Sequence, residues 1–329
     1  MNHSTPPLQI LLTGCAGFIG ARTAEILLEQ GHQVVGIDNL NDYYDVRLKD
    51  YRLSKLKTRH GFTFHAIDIE NSSELERIFS KNRFNAVINL AARAGVRASI
   101  ETPHVYLSTN TLGSLNLLSL MTKHAVPRFI MASTSSLYAG APMPFTETSD
   151  VTRPISPYAA SKLAAEAMAY TWHHLHGIHV TVLRYFTVFG PAGRPDMSPF
   201  RFIEWIRRGQ PITLYGTGEQ TRDFTYIDDI ARGTVAALGA DGHHIINLGG
   251  GNTPLSINTM IREIESALGQ EAKVNRQPSN NADMADTAAD ISKANQSLGW
   301  TPEVNPIEGF KKTVAWHLEN AEWLGSVSL

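Results

Sequence analysis

The sequence predicts an α/β protein: a doubly wound parallel sheet carrying a smaller, mixed α/β unit toward the C-terminus. Three observations predict it. Short apolar runs alternate with longer helical patterns from Gln9 to Arg184. Each run leads directly into small or polar residues, at the position where open parallel sheets bind ligands. After Pro191 the alternation becomes irregular, which marks a second kind of structure.

Composition bounds the rest. The chain has 329 residues, enough for one large domain or two intimate ones. With 43% apolar residues, 18% charged residues and a net charge of −2, it has no basic excess that would suggest a nucleic-acid partner. The single Cys15 excludes an internal disulfide and fits a reducing compartment. Residues 1–7 are polar, without the apolar centre of a signal peptide. No apolar run approaches the roughly 20 residues of a membrane span. The expectation is a cytoplasmic protein that binds neither membrane nor nucleic acid.

Gln9–Thr13 reads as a buried strand. It runs into Gly14-Cys15-Ala16-Gly17-Phe18-Ile19-Gly20, a helical pattern follows, and Gln33–Asp38 makes a second strand. In such a βαβ unit the glycines allow a tight turn and let the backbone approach a pyrophosphate at a helix N-terminus. The spacing is G-x-x-G-x-x-G, and it is the flanking strands that give it meaning. The pattern is that of a Rossmann-type sheet. Asp38 ends the second strand, placed to accept from the adenosine ribose hydroxyls; capping of a loop is the alternative. Asn39 and Leu40 follow with no adjacent arginine for a 2′-phosphate, so the spacing favours NAD over NADP.

Strand Phe62–Ala66 leads to Asp68 and Ile69, a candidate adenine contact. Residues 86–90 end at Leu90 and lead to Ala91 and Ala92, small residues against which a cofactor can lie. Residues 128–132 lead to Ser133-Thr134-Ser135-Ser136, and residues 179–184 to Tyr185-Phe186-Thr187-Val188. Helices are expected over 103–124 and 157–176. Both carry apolar residues on more than one face, as a homodimer interface or burial within one subunit would require.

The second of these helices opens on Ser156-Pro157-Tyr158, with Ser156 at the N-cap, Pro157 at the first helical position and Gly177 as the stop. Tyr158 and Lys162 share one face. A cation about 4 Å from a phenol contributes roughly 4 kcal/mol at an effective dielectric of about 20, or about three pKa units. The expected phenol pKa is then near ~7, where Tyr158 can act as a general base. The alternative is a surface helix that happens to carry both residues.

The glycine loop, Thr134 and Tyr158-x-x-x-Lys162 resemble the extended short-chain dehydrogenase/reductase family, and within it the NAD-dependent nucleotide-sugar epimerases that act on UDP-sugars. The resemblance runs from about residue 8 to about residue 318. It is most specific in Asp38-Asn39-Leu40-Asn41-Asp42-Tyr43-Tyr44-Asp45, in Ala94-Gly95-Val96-Arg97, in Phe186-Thr187-Val188-Phe189-Gly190-Pro191 with Gly193-Arg194-Pro195-Asp196-Met197, and in Arg222-Asp223-Phe224-Thr225-Tyr226-Ile227-Asp228-Asp229. Among these enzymes the pattern is nearest the UDP-glucuronate 4-epimerases. The resemblance implies that Tyr158 is base and acid at the sugar O4, that Thr134 shares that oxygen, and that Lys162 holds the nicotinamide ribose. It places Asn110 behind Lys162, and Tyr185 and Val188 at the nicotinamide end. Relatives that dehydrate or decarboxylate carry an acidic residue just after the threonine; here Ser135 and Ser136 stand there. Hydroxyls of Ser135, Ser136 and Thr187, with Arg194, are expected to hold a C6 carboxylate. The two serines could instead satisfy their own loop.

Arg97, Tyr215, Arg222 and Asp283 are expected at the nucleotide of the sugar substrate, Arg222 as a diphosphate fork. Ile212–Tyr215, Gly216-Thr217-Gly218 and residues 222–226 read as strand, turn and strand. The expected organisation is an NAD-binding unit at 1–190, rejoined by about 227–249, and a nucleotide-sugar unit at 191–226 and 250–329. Arg93 departs from the family pattern, where glutamine is usual, and adds a cation beside the cofactor strand end. The histidines at 173, 174, 176 and 179 fit a helix C-terminus better than a metal site.

Overall fold

The structure is a computed structural model, described over residues 6–251, 254–278 and 284–329. Strands β1 (Gln9–Thr13), β2 (Gln33–Asp38), β3 (Phe62–Ala66), β4 (Ala86–Asn89), β5 (Arg128–Thr134) and β6 (His179–Tyr185) lie in one parallel sheet. Beyond the short β7 (Thr187–Phe189), β8 (Ile212–Tyr215), β9 (Thr221–Arg222) and β10 (Phe224–Tyr226), strand β11 (His243–Leu248) returns to pair with β6 and completes it. The order is β3-β2-β1-β4-β5-β6-β11. The chain walks outward from β1 to β3 and then restarts beside β1 with β4. That reversal opens a crevice at the carboxyl ends of β1 and β4.

Both faces of this sheet are covered, which explains the unbroken apolar runs. Neighbouring strand residues alternate between two cores. Ile10, Leu12, Ile88, Ile130 and Leu183 pack on one face. Leu11, Val87, Phe129 and Val182 pack on the other. A third core gathers Phe189, Phe202, Ile203, Phe224, Met260 and Phe310 from the later part of the chain.

The strands expected on either side of the glycine turn in 212–226 are present, and they do not pair with one another. β8 pairs in parallel with β13 (Val274–Gln277), while β9 pairs with β12 (Leu255–Ser256) and β10 with β7. The glycine turn marks a change of partner, because each strand finds its ladder in a distant segment. The helix expected over 103–124 is one rod in three parts: α over Pro103–Tyr106, π over Leu107–Leu112 and α over Gly113–Lys123. Helix Pro157–His176 has its expected ends. The Ser156 hydroxyl accepts from Ala159 N at 3.2 Å, and Gly177 closes it in the left-handed conformation.

Candidate active site

The carboxyl ends of the sheet strands and the loops after them enclose a cavity of roughly 370 Å³. Its floor is the glycine loop. Gly14 has φ +68°, and a Cβ there would stand 2.7 Å from Ala91 N, so no other residue fits between β1 and β4. Gly17 caps helix Phe18–Glu29 without a side-chain hydrogen bond, and no acid occupies the first turn. The helix therefore presents unpaired N–H groups to the cavity, which suits a pyrophosphate. Beneath it, Thr13 Oγ1 donates to Asn89 at 2.6 Å and accepts from Ala91 N at 3.0 Å, fixing the two strand ends against each other. Phe18, Ile19, Gly20, Leu90, Ala91 and Ala92 all line the cavity.

At the far end of the same wall Asp38 is buried. One carboxylate oxygen accepts from Ala16 N at 3.2 Å and the other from Leu40 N at 2.9 Å. Asn39 donates to Asp68 at 2.6 Å, and Asp68 and Ile69 close this end. These residues fit a dinucleotide: a small-residue cradle, open helix amides, and a carboxylate held by backbone where a ribose diol would sit.

The other end carries the chemistry. Thr134, Ser135, Ser136, Tyr158, Lys162, Tyr185, Thr187, Val188 and Arg194 all face the cavity. Tyr158 accepts a hydrogen bond from the Thr134 hydroxyl, which in turn accepts from Ser136 N at 3.1 Å. The expected lowering of the Tyr158 pKa is corrected. Burial raises the phenol above its usual value, against the Thr134 hydrogen bond and the charge of Arg194. Lys162 is engaged elsewhere: its ammonium donates to Ala132 O at 2.9 Å. Burial pushes that ammonium down to about 8, while Glu166, one turn on, pulls it up. An i, i+4 spacing guarantees a shared face, and the lysine's reach to the strand decides the contact.

Asn110 does not line the cavity. It sits in the π segment with its amide bound to the Arg93 backbone and to Ser161 Oγ at 2.9 Å, directly beside Lys162. Asn110, expected among the cofactor-binding residues, is thus a neighbour of the Lys162 segment and not a wall of the cavity. The hydroxyls of Ser135, Ser136 and Thr187 have no hydrogen-bond partner among the described residues, so they do not satisfy their own loop. Arg194 is ion-paired to Asp196, with Nε 3.0 Å from Oδ1 and a second nitrogen 2.5 Å from Oδ2.

Arg97, Tyr215 and Arg222, like Asn110, are not among the residues that line this cavity. Arg97 stacks on the Tyr215 ring at 4.0 Å, which joins two of them. Arg222 donates to the carbonyls of Thr221 and Ala285 at 2.7 and 2.9 Å. Asp283 lies outside the described residues. The structure also brings in walls that the sequence candidates omit: Asn41, Tyr43, Tyr44, Lys49, Thr109 and Met197. Tyr43 and Tyr44 stand in one of the specific stretches, so the signal was present without a role. Arg93 reaches Asn41 Oδ1 at 3.4 Å.

Residues 10–249 match the model of the NAD dependent epimerase/dehydratase family. The chain is 54% identical over 319 residues to a UDP-glucuronate 4-epimerase of Thermodesulfobacterium geofontis, covering 97% of this chain and 99% of that one. Among solved structures, it is similar to the UDP-glucuronic acid 4-epimerase of Bacillus cereus in complex with UDP-glucuronic acid and NAD. That match has a TM-score of 0.90 and 35% identity, over 95% of this chain and 100% of that one. It is also similar to a UDP-glucose 4-epimerase of Thermotoga maritima with UDP-glucose, at TM-score 0.86 and 32% identity, over 95% and 100%. With a family match over residues 10–249 and relatives matched along nearly the whole chain, this protein belongs to the NAD-dependent epimerase/dehydratase family, within the extended short-chain dehydrogenases/reductases.

Proposed function

We propose that the chain inverts C4 of a UDP-sugar, converting UDP-glucuronate to UDP-galacturonate through a transient 4-keto sugar. NAD, when bound, supplies a hydride acceptor that returns what it takes, so no cosubstrate is consumed. Tyr158 takes the O4 proton as the C4–H bond gives up its electron pair, and C4–OH becomes C4=O. Return of hydride to the opposite face and of the proton from Tyr158 restores an alcohol of inverted configuration. Thr134 steadies the phenol and O4. Lys162, on the same wall, would hold the nicotinamide ribose when NAD is bound.

The observation that carries the uronate reading is the set of hydroxyls around this chemistry. Ser135, Ser136 and Thr187 face the cavity without partners, and the paired Arg194 stands with them. Hydrogen bonds from these groups would fix a C6 carboxylate. A fixed carboxylate is kept from aligning its bond with the ketone π system, which opposes loss of carbon dioxide. The similarity to a UDP-glucose 4-epimerase supports a second reading, a UDP-hexose or UDP-N-acetylhexosamine 4-epimerase. A decarboxylase lacks its acidic residue here, and a non-catalytic NAD-binding regulator would not need Thr134, Tyr158 and Lys162 together.

Proton NMR of the purified protein with UDP-glucuronate and no reducing cosubstrate tests the reading. UDP-galacturonate should appear, without carbon dioxide or accumulating NADH. UDP-pentose would show that the hydroxyls do not restrain the carboxylate. No reaction would direct the test to UDP-glucose and UDP-N-acetylglucosamine.

The same reading assigns residues 1–190 and about 227–249 to NAD, and 191–226 and 250–329 to the nucleotide sugar, where Arg97, Tyr215, Arg222 and Asp283 would meet the nucleotide. It places the enzyme in the cytoplasm; among the described residues no helix is long and apolar enough to cross a membrane. It makes the enzyme a homodimer through helices 103–124 and 157–176. Leu107, Leu112, Tyr170 and Leu175 are large apolar residues exposed on those helices, which supports a partner face. Leu112→Glu should then shift the protein from dimer to monomer in light scattering; a wild-type monomer would end the dimer assignment.

A further inference from the structure

Three of the stretches on which the family resemblance is most specific meet at one ring. Tyr43 lines the cavity from segment 38–45, and its hydroxyl lies with that of Tyr106 against Gly95. Gly95 has φ +114°, and a Cβ there would run into the Tyr43 hydroxyl, so the ring has its place only because this residue is glycine. The third stretch supplies Arg194, whose guanidinium carbon is 5.7 Å from the centre of the Tyr43 ring.

This approach is built into the fold. Arg52, 4% exposed on helix Val46–Lys57, donates to the Tyr44 hydroxyl at 2.8 Å and to the carbonyls of Ala192 and Gly193, each at 2.8 Å. One buried guanidinium thus clamps the neighbour of Tyr43 to the neighbour of Arg194. Tyr43 N donates to Asn41 Oδ1 at 3.2 Å, which fixes the turn before the ring. On the other side, Tyr106 meets the Tyr158 ring edge to face, 6.2 Å between centres, so three phenols run from the proton carrier to Arg194.

Arg194 is held on two sides and open on a third. Asp196 takes Nε and one terminal nitrogen along one edge, and the Tyr43 ring supports the guanidinium face. The other terminal nitrogen has no acceptor among the described residues, and Arg194 lines the cavity. A guanidinium paired along one edge alone still tilts about that edge. A ring against its face removes the tilt and fixes where the remaining donors point.

We propose that Tyr43 is a positioning residue that sets specificity for the sugar: by supporting Arg194 it aims the open edge of the guanidinium at a C6 carboxylate, so that the site prefers a UDP-uronate to a UDP-hexose. The inference rests on the uronate reading and deepens it.

Calorimetric binding of UDP-glucuronate and of UDP-glucose to the NAD-loaded protein tests it, with Tyr158→Phe as the common background so that no turnover disturbs the titration. The ratio of the two affinities cancels any loss common to both sugars. Tyr43→Leu should cut the preference for UDP-glucuronate by about tenfold, the scale of a desolvated cation–π contact. Tyr43→Phe keeps the ring face and should keep the preference. With Arg194→Ala added, Tyr43→Leu should no longer change the ratio, because its effect runs through the guanidinium. Melting curves establish that each variant is folded, and Tyr43→Met reads the same ratio if Tyr43→Leu is not. An unchanged ratio in a folded Tyr43→Leu or Tyr43→Met protein overturns the proposal. So does an equal loss in Tyr43→Phe, or a loss that persists without Arg194. A protein with Tyr43 intact that shows no preference for UDP-glucuronate over UDP-glucose would overturn the uronate reading and the inference with it.

Discussion

Tyr158 is held between a force that raises its proton affinity and two groups that lower it. Burial is the largest influence, and the Thr134 hydrogen bond and the Arg194 charge oppose it. Two outcomes follow. Tyr158→Phe removes the proton carrier and should cut turnover by about 10²–10⁴-fold, with NAD affinity retained in a binding titration. Thr134→Val removes a hydrogen bond that favours the phenolate, so the phenol pKa should rise. Activity that needs the phenolate is lost as pH falls through that pKa; its acid limb should therefore move to higher pH in the rate profile. An unmoved limb would mean that Thr134 serves the sugar alone. These two residues were legible because strand ends and helix starts are local patterns. Lys49 was not, since its contact with Asp38 depends on a side chain crossing from its own element, and no spacing rule encodes that. Arg93 stood out as a cation beside the cofactor strand end, but its reach to Asn41 did not.

Helix Pro157–His176 brings Tyr158 and Lys162 to the cavity, and its position depends on a charge buried one turn further on. Glu166 accepts from Arg184 twice, at 3.0 and 2.7 Å, and from Ser133, the neighbour of Thr134, at 2.5 Å. Arg184 also donates to Tyr138 at 2.9 Å, and Tyr138 to Asn247 at 2.7 Å. One network thus ties the helix to the carboxyl ends of β5, β6 and β11. Glu166→Gln leaves the buried guanidinium without its anion and should destabilise the protein by about 3–5 kcal/mol in denaturant unfolding. Replacing the Ser156 cap by alanine should cost only about 1 kcal/mol. The cap could be read from three adjacent residues, and so it was. The network could not, because its members come from separate strands. The same reason hides the pairing of segment 212–226: its strands and turn glycines could be read, but β8 finds β13 some sixty residues later, and local sequence carries no record of that register.

At the scale of the whole molecule, two buried carboxylates give the stability opposite responses to acid. Glu204 is fully buried and receives Arg207, Arg208 and His317, so helix Ser198–Arg207 is locked to helix Pro306–Glu319. Burial would raise its pKa, but these partners outweigh it and hold the carboxyl at about 2. A depressed folded pKa contributes stability that is present above the unfolded value near ~4.3 and is lost as pH falls toward 2. Asp223 is the reverse. Its carboxylate holds Gly250 N and Ala289 N, yet burial pushes it up to about 6. Folded Asp223 binds a proton more readily than the unfolded chain, so acid stabilises the fold through it as pH falls from about 6 to ~3.9. The interval between its folded and unfolded values corresponds to at most about 3 kcal/mol. The two effects bracket a window. Through these two groups, stability to urea should rise from pH 7 to pH 5 and fall below pH 4. Asp223→Asn should flatten the upper slope and leave the lower one, while Glu204→Gln should flatten the lower slope at a large cost in stability. A wild-type profile that declines steadily from pH 7 downward, and that Asp223→Asn does not change, would mean that water reaches Asp223 and that its burial does not govern its charge.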